Sequence, residues 1–457
     1  MKPALVFLGL CPALFAAETP PAWRAEINAR LRVETREQNF TFDDAVSSPT
    51  DGTWVLTRLR VTATGPVAAG FTLLAQVQDA RELRSDRPAV PYVLGSEGND
   101  PLDLRQLYLE RKGTTGTVRI GRQVLAFGDE RLVGPLDWNN LARSFDAVRI
   151  TLPKVGRGLD AFVGSVVQVQ PTASTGWHAN HASADDIFAG VYSRFAPTVT
   201  LSLEPYVFWR SKRNDTLYNV PGRGAARPYD IPQKIATFGL RWSGGPAEKL
   251  NGFDYDGEFA WQTGEARGRQ LVGVAITYPG PAWMDHEAWA GHVGVGYSRK
   301  AGVIPLRLYV ELNRASGDQN PADDKTQSFL NLFPTNHKFY GAMDAFAWKN
   351  MRELAVTLFA TMGASKLRLE QHAFALDSVN DTWFRANAVT AVRALTPAAR
   401  TASRHAGQET DLVWSRPIDR RTTLEVGGAF FSAGRYLEQT GGASDARFGY
   451  IQTVFQW

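Results

Sequence analysis

Hydrophobic and polar residues alternate one by one in segment after segment of this chain. From Ala25 to Arg36 one parity carries Ala25, Ile27, Ala29, Leu31 and Val33, and the other Glu26, Asn28, Arg30, Arg32, Glu34 and Arg36. A strand sends successive side chains to opposite faces, so this segment has one greasy and one ionic face, whereas a helix would scatter the same charges around its axis. Taken alone, it fits a soluble sheet with a core on one side and water on the other. The pattern returns in Arg58 and Arg60 against Leu59 and Val61, and in Arg307, Tyr309, Glu311 and Asn313 against Leu306, Leu308, Val310 and Leu312. In KLRLEQHAF the polar parity is Lys366, Arg368, Glu370 and His372. Almost no stretch sustains a 3.6-residue period, which predicts an all-β chain.

The strand segments predicted are 23–37, 54–64, 71–82, 103–112, 117–125, 146–152, 159–169, 186–195, 199–210, 234–242, 253–265, 286–298, 304–315, 353–362, 366–376, 407–415, 422–433 and 447–457. The connections between them alternate, with 38–53 long, 65–70 short, 83–102 long and 113–116 short, and so on to the end. A soluble sandwich is wet at both ends and has no reason for that asymmetry. A transmembrane antiparallel β-barrel of about 18 strands, with short periplasmic turns and long extracellular loops, explains it, and the segment lengths fit a tilted span of about 9–11 residues. In such a barrel the apolar parity meets lipid, the charged parity meets a wet lumen, and closure pairs every backbone group. QLVGVAITY at 270–278 reads as one more strand, but it would break both the even count and the alternation, so it is assigned to the loop after 265. Trp23, Trp242 and Trp457 fall at turn-side strand ends, and Trp54 and Trp209 at loop-side ends, as interfacial girdles require. The last segment, GYIQTVFQW, puts Ile451, Thr453, Phe455 and Trp457 on one parity, and its terminal aromatic resembles the assembly signal of bacterial outer-membrane proteins.

Composition narrows the picture. The single cysteine, Cys11, and the lack of any long apolar run exclude a disulfide scaffold, thiol catalysis and helical membrane spans. The opening MKPALVFLGLCPALFAAE has the layout of a secretory signal peptide, read as 1–17, followed by one barrel domain over 18–457. Arg outnumbers Lys 39 to 11, yet the formal net charge is only +4. Balanced acids and bases do not make the one-sided basic surface of a nucleic-acid binder, so no nucleic acid is expected as partner.

Three stretches, RIGRQVLAFGDERLVGPLDWNNLARSFDAVRI at 119–150, ASGDQNPADDKTQSFLNLFPTNHKFYGAMDAF at 315–346 and GQETDLVWSRP at 407–417, resemble the alginate export family of outer-membrane barrels. The resemblance runs along nearly the whole mature chain. It implies a monomeric eighteen-stranded barrel in a Gram-negative-type outer membrane, in contact with its lipid and served by periplasmic export partners. It implies an anion-selective channel for an acidic polysaccharide or oligosaccharide, such as a polyuronate, or for related small anionic solutes. Polyuronate passage needs inward cations with enough acids that the polymer does not stick, and Arg suits carboxylates because its planar fork donates two parallel hydrogen bonds. By parity the pore-lining set is Arg30, Arg32, Arg58, Arg60, Arg119, Arg149, Arg307 and Arg368, with Arg105 ambiguous in phase and Glu26, Glu34, Glu258 and Glu311 as counter-charges. The bland alternative is that these groups pair across strands and merely stiffen the wall.

The resemblance also implies that the loop opened by GDER folds inward, placing Asp129, Glu130 and Arg131 at a constriction, although the same four residues would serve as an ordinary turn. Pro334, Asn336, His337 and Tyr340 of FPTNHKFYG suggest a packed loop over the mouth or within the lumen. His178 and His181 have a metal-compatible spacing but lie in a polar segment without Cys, and Asp43/Asp44, Asp185/Asp186 and Asp323/Asp324 read as solvated loop charge. No metal, cofactor or catalytic residue is predicted. Competing readings are a porin of the same fold for other solutes, an outer-membrane hydrolase using one of His286, His292, His337, His372 or His405, and a soluble β-rich lectin.

Overall fold

The computed structural model describes residues 22–39, 41–45, 51–85, 98–153, 158–169, 179–213, 217–218, 227–228, 231–245, 252–267, 270–272, 275–277, 282–393 and 395–457. The signal peptide assigned to 1–17, and His178, lie outside them. Eighteen long strands follow one another: β1 Arg24–Glu37, β2 Gly52–Pro66, β3 Thr72–Leu83, β4 Asp100–Lys112, β5 Thr117–Gln123, β6 Phe145–Leu152, β7 Leu159–Gln168, β8 His181–Ser193 and β9 Leu201–Lys212. Then come β10 Gln233–Gly244, β11 Gly252–Ala266, β12 Met284–Ala301, β13 Ile304–Ala315, β14 Met351–Met362, β15 Ser365–Leu376, β16 His405–Pro417, β17 Thr422–Ala433 and β18 Ala446–Gln456.

Each pairs antiparallel with its sequence neighbour, and β18 returns to β1 with Arg30 opposite Val454 and Arg36 opposite Phe448. Beyond that ladder, the Ile27 and Trp457 amides each donate to the other's carbonyl, at 2.7 and 2.9 Å. Closure leaves no sheet edge, as a span through hydrocarbon requires. The ring has the eighteen strands that the alternation predicts. Among the described residues, 270–272 pair with 275–277 as a separate hairpin and not with the ring, so this segment is not a barrel strand.

The parity reading holds strand by strand. Leu59 is 46 % exposed on the lipid face, while Arg58 beside it is 5 % exposed and faces the lumen. Trp54 shares the parity of Arg58, so it is buried inside and is not a girdle residue, unlike the exposed Trp23, Trp209 and Trp457. Asp185 and Asp186 are strand residues of β8, not loop charge, and Asp186 takes both arms of Arg210 at 2.9 and 2.7 Å. Arg105 was ambiguous because it is the extra residue of a β-bulge: Gln106 pairs with Gln76 and Leu104 with Val77, which flips the phase of β4 and turns Arg105 inward.

The hydrophobic core lies inside the barrel. Phe145, Phe162, Phe188 and Phe208 on β6–β9 form one side of it, where Phe333 of the long 316–350 loop packs against Phe145 and Phe188, and Phe346 of the same loop stacks on Phe374 of β15 and on Trp383. Apolar residues on both faces of those strands therefore serve two contacts, lipid outside and inserted loop inside.

Candidate functional site

Two loops fill the lumen, the β5–β6 loop at 124–144 and the β13–β14 loop at 316–350. Gly128, at φ 59°, and Glu130, at φ 79°, turn the first of them sharply. The left-handed conformation is easy for Gly and strained for Glu, and such strain persists only where surrounding contacts over-determine it.

Those contacts come from opposite walls. At one end of the loop Arg131 reaches across to β13, pairing with Glu311 and donating to Asn313 Oδ1 at 3.0 Å, and also to Tyr340 of the second loop at 3.2 Å. Asp129 lies 3.1 Å from Arg131 and 4.0 Å from Arg241 of β10. At the other end Asp137 meets the arginine wall. Its Oδ1 stands 2.8 Å from Arg60 and 3.6 Å from Arg105, and its Oδ2 3.4 Å from Arg58. Its carbonyl accepts from Arg30 at 2.9 Å and Arg58 at 3.0 Å. Arg32 donates to the Trp138 carbonyl at 2.9 Å and lies 3.9 Å over its ring. Because β13 is nine strands on from β4 in a ring of eighteen, the loop crosses the lumen from side to side.

Burial by itself would raise the Asp137 carboxyl, but the guanidiniums of Arg58, Arg60 and Arg105 hold it well below the usual carboxylate range. Burial works against the Asp129 carboxylate too, and Arg131, His292 and Arg241 overcome it and keep that group low.

Five of the predicted arginines, Arg30, Arg32, Arg58, Arg60 and Arg105, thus converge on one segment of inserted loop, and all are buried. Three others pair within the wall as in the stiffening alternative: Arg119 with Glu110 at 3.0 Å and Arg149 with Asp160 at 2.8 Å on neighbouring strands, and Arg307 of β13 with Asp254 of β11 at 2.6 and 3.0 Å, reaching over Gly296 of the intervening β12. Arg119 and Arg149 stand opposite each other in the β5–β6 register and line a polar cavity of about 260 Å³ with Glu110 and Lys112. Arg368 lies 2.9 Å from Glu370 on its own strand. Glu258 accepts from Tyr206 at 2.5 Å, Glu311 also lies 3.0 Å from His292, and Glu26 is exposed, 3.6 Å from Arg24. Glu130 sits 4.0 Å from Lys338.

The FPTNHKFYG segment is inside the lumen. Tyr340 is buried against Arg131, and His337 stacks on Trp138 with ring centroids 3.8 Å apart, joining the two loops. Parity reasoning missed Asp137 and Trp138, which sit in an irregular segment where no period assigns a face. It could have added Arg36, on the parity of Arg30 and Arg32, which donates to the Met343 carbonyl and lies 4.4 Å over Phe448.

A sequence-family profile described as alginate export matches residues 25–450. No curated protein matches the sequence. Among solved structures the barrel is similar to Acinetobacter baumannii OccAB2, at 9 % identity, TM-score 0.60, covering 95 % of this chain and 98 % of that one. Pseudomonas aeruginosa OpdQ is similar at 13 % identity and TM-score 0.58, with 95 % and 97 % covered. Pseudomonas aeruginosa OccK8 (OprE) is similar at 10 % identity and TM-score 0.58, with 95 % and 98 % covered. At such identities the likeness is one of fold.

Proposed function

The chain belongs to the alginate export family and is an outer-membrane channel rather than an enzyme; on that premise we propose that it is anion-selective and passes an acidic oligo- or polysaccharide of polyuronate type, or smaller solutes of the same charge. The observation that carries the reading is the imbalance at the inserted loop. Arg30, Arg32, Arg58, Arg60 and Arg105 face into one part of the lumen, and among the described residues the carboxylates within 4 Å of them are Asp137 and Glu34. An excess of guanidinium in a low-dielectric wall lowers the cost of bringing a carboxylate in, and each fork replaces lost water with charge-assisted hydrogen bonds. Lumenal placement is also the affordable one for folding, because an arginine turned to the bilayer midplane of a barrel costs about 2–4 kcal/mol.

A porin for other small solutes is favoured by one feature, the filling of the lumen by the 124–144 and 316–350 loops. The two readings separate in planar bilayers. For the polyuronate reading, the wild type gives a reversal potential on the anion side at low salt and is blocked more strongly by oligouronates than by a single uronate. Arg58→Glu with Arg60→Glu moves the potential toward cations and weakens that block. An unchanged potential in a folded double variant would count against anion selectivity, and equal block by monomer and oligomer would favour the small-solute porin.

A further inference from the structure

His372, on β15, is 1 % exposed and enclosed by carboxylates. Its Nδ1 lies 2.6 Å from Glu353 Oε1 on β14, a contact that sets the orientation of the ring. Nε2 is thereby aimed at Asp411 of β16, whose Oδ2 stands 3.6 Å away, too far for a hydrogen bond, and Nε2 has no hydrogen-bond partner. Strand register builds the cluster: Glu370 pairs with Asp411 and His372 with Glu409. Asp411 Oδ1 and Glu409 Oε2 are also buried with no hydrogen-bond donor. Their companion oxygens are occupied, since Asp411 Oδ2 accepts from the Ala342 amide at 2.9 Å and Glu409 Oε1 from the Met343 amide at 2.8 Å. Among the described residues four carboxylates, Glu353, Glu370, Glu409 and Asp411, surround His372; Arg368 takes Glu370 Oε2, Asn313 donates to Glu353 Oε2 at 2.8 Å, and Arg131 and His337 act on the cluster from further off. Buried carboxylates are costly unless paired or bound to metal, and this group carries more negative charge than its neighbours offset.

We infer that Glu370, His372 and Asp411 hold a divalent cation of zinc type, through His372 Nε2 and one oxygen of each carboxylate. These ligand atoms lie within 4.8 Å of one another. A mixed imidazole and carboxylate set suits Zn²⁺, with bonds of about 2.0–2.2 Å and a fourth tetrahedral position for water. Glu353 is then the outer partner of a carboxylate–histidine–metal triad, a positioning residue that fixes which nitrogen faces the ion. The ion joins β15 to β16 directly beneath the segment Gly341–Met343, so it fastens the seat of the 316–350 loop. A second grouping of the same chemistry, Asp129, Glu258 and His292, is already balanced by Arg131 and Arg241, 3.1 and 4.0 Å from Asp129. This site does not depend on which solute the channel carries.

The test uses the full-length barrel, folded in detergent without a polyhistidine tag, stripped by chelator and titrated with Zn²⁺ by calorimetry. One equivalent binds the wild type. His372→Gln and Asp411→Asn each weaken that event at least tenfold, Glu353→Gln weakens it about 10–100-fold, and His292→Gln leaves it unchanged. Heat-modifiable gel mobility checks that each variant is a closed barrel. If a variant does not close, X-ray absorption of the zinc-loaded wild type decides, with one imidazole nitrogen among oxygen ligands expected. No binding by the wild type, binding indifferent to both ligand substitutions, loss on His292→Gln alone, or a zinc shell without imidazole overturns the site.

Discussion

Asp137 and Arg60 meet with Oδ1 2.8 Å from the guanidinium, and that contact fastens the loop between β5 and β6 to the wall of β2. Arg58 and Arg105 hold the same carboxylate at 3.4 and 3.6 Å. Asp137→Asn therefore keeps the loop's shape while removing one of the few negative charges among five arginines. The expected result is a reversal potential shifted further toward anions, with a normal heat-modifiable barrel. Because the carboxylate is about half exposed, the loop's seat loses only about 1–2 kcal/mol, well under the value for a fully buried pair. A shift toward cations would refute the assignment of this carboxylate as a counter-charge to the pore arginines.

The same latch sets a pH dependence. The Asp137 carboxyl is held below its ordinary range, so its contribution is fully present above the unfolded value of about 3.9 and is lost as pH falls through the lower folded value. Conductance and the protease resistance of the 124–144 loop should stay flat from about pH 8 to 5 as far as this latch is concerned, and loosen only in stronger acid. Loosening near neutral pH would place the controlling group elsewhere.

Arg131 is the tie at the far wall, 3 % exposed and shared between Glu311, Asp129, Asn313 and Tyr340. Arg131→Ala leaves Glu311 without that partner in a buried place, a loss of about 3–5 kcal/mol in the seating of the loop. Limited proteolysis should cut the loop faster, and single-channel conductance should rise. Arg131→Lys should recover only part of the effect, because an ammonium keeps the charge but not the planar fork.

Topology has its own test. Thr396–Ala398 is an exposed stretch of the long 377–404 loop, and Thr114–Thr115 is the exposed tip of a short turn. An epitope tag at the first should bind antibody on intact cells, and a tag at the second only after permeabilisation. The opposite result would invert the barrel in the membrane.

The wall of this protein was legible in its sequence because the signal for a strand is local. A period of two residues assigns Arg30, Arg32, Arg58 and Arg60 to one face and Leu31, Leu59 and Val61 to the other, and lipid on one side makes that assignment strict. The even strand count and the alternation of turns and loops follow from the same reading. The contents of the lumen were not legible. Asp137 meets Arg30 across 107 positions of sequence, and Arg131 meets Tyr340 across 209. Nothing periodic announces such partners, since an irregular loop is placed by the groups it finds and not by its own repeat. Arg105 shows the limit within a strand, where one bulge residue reversed the phase that parity depends on. The cluster at His372 shows it between strands: Glu370 and His372 are two residues apart, but Asp411 joins them only because the register of β15 and β16 sets it opposite Glu370. Alternation along the chain decided which side chains face inward, and the closed ring with its inserted loops decided which of them meet.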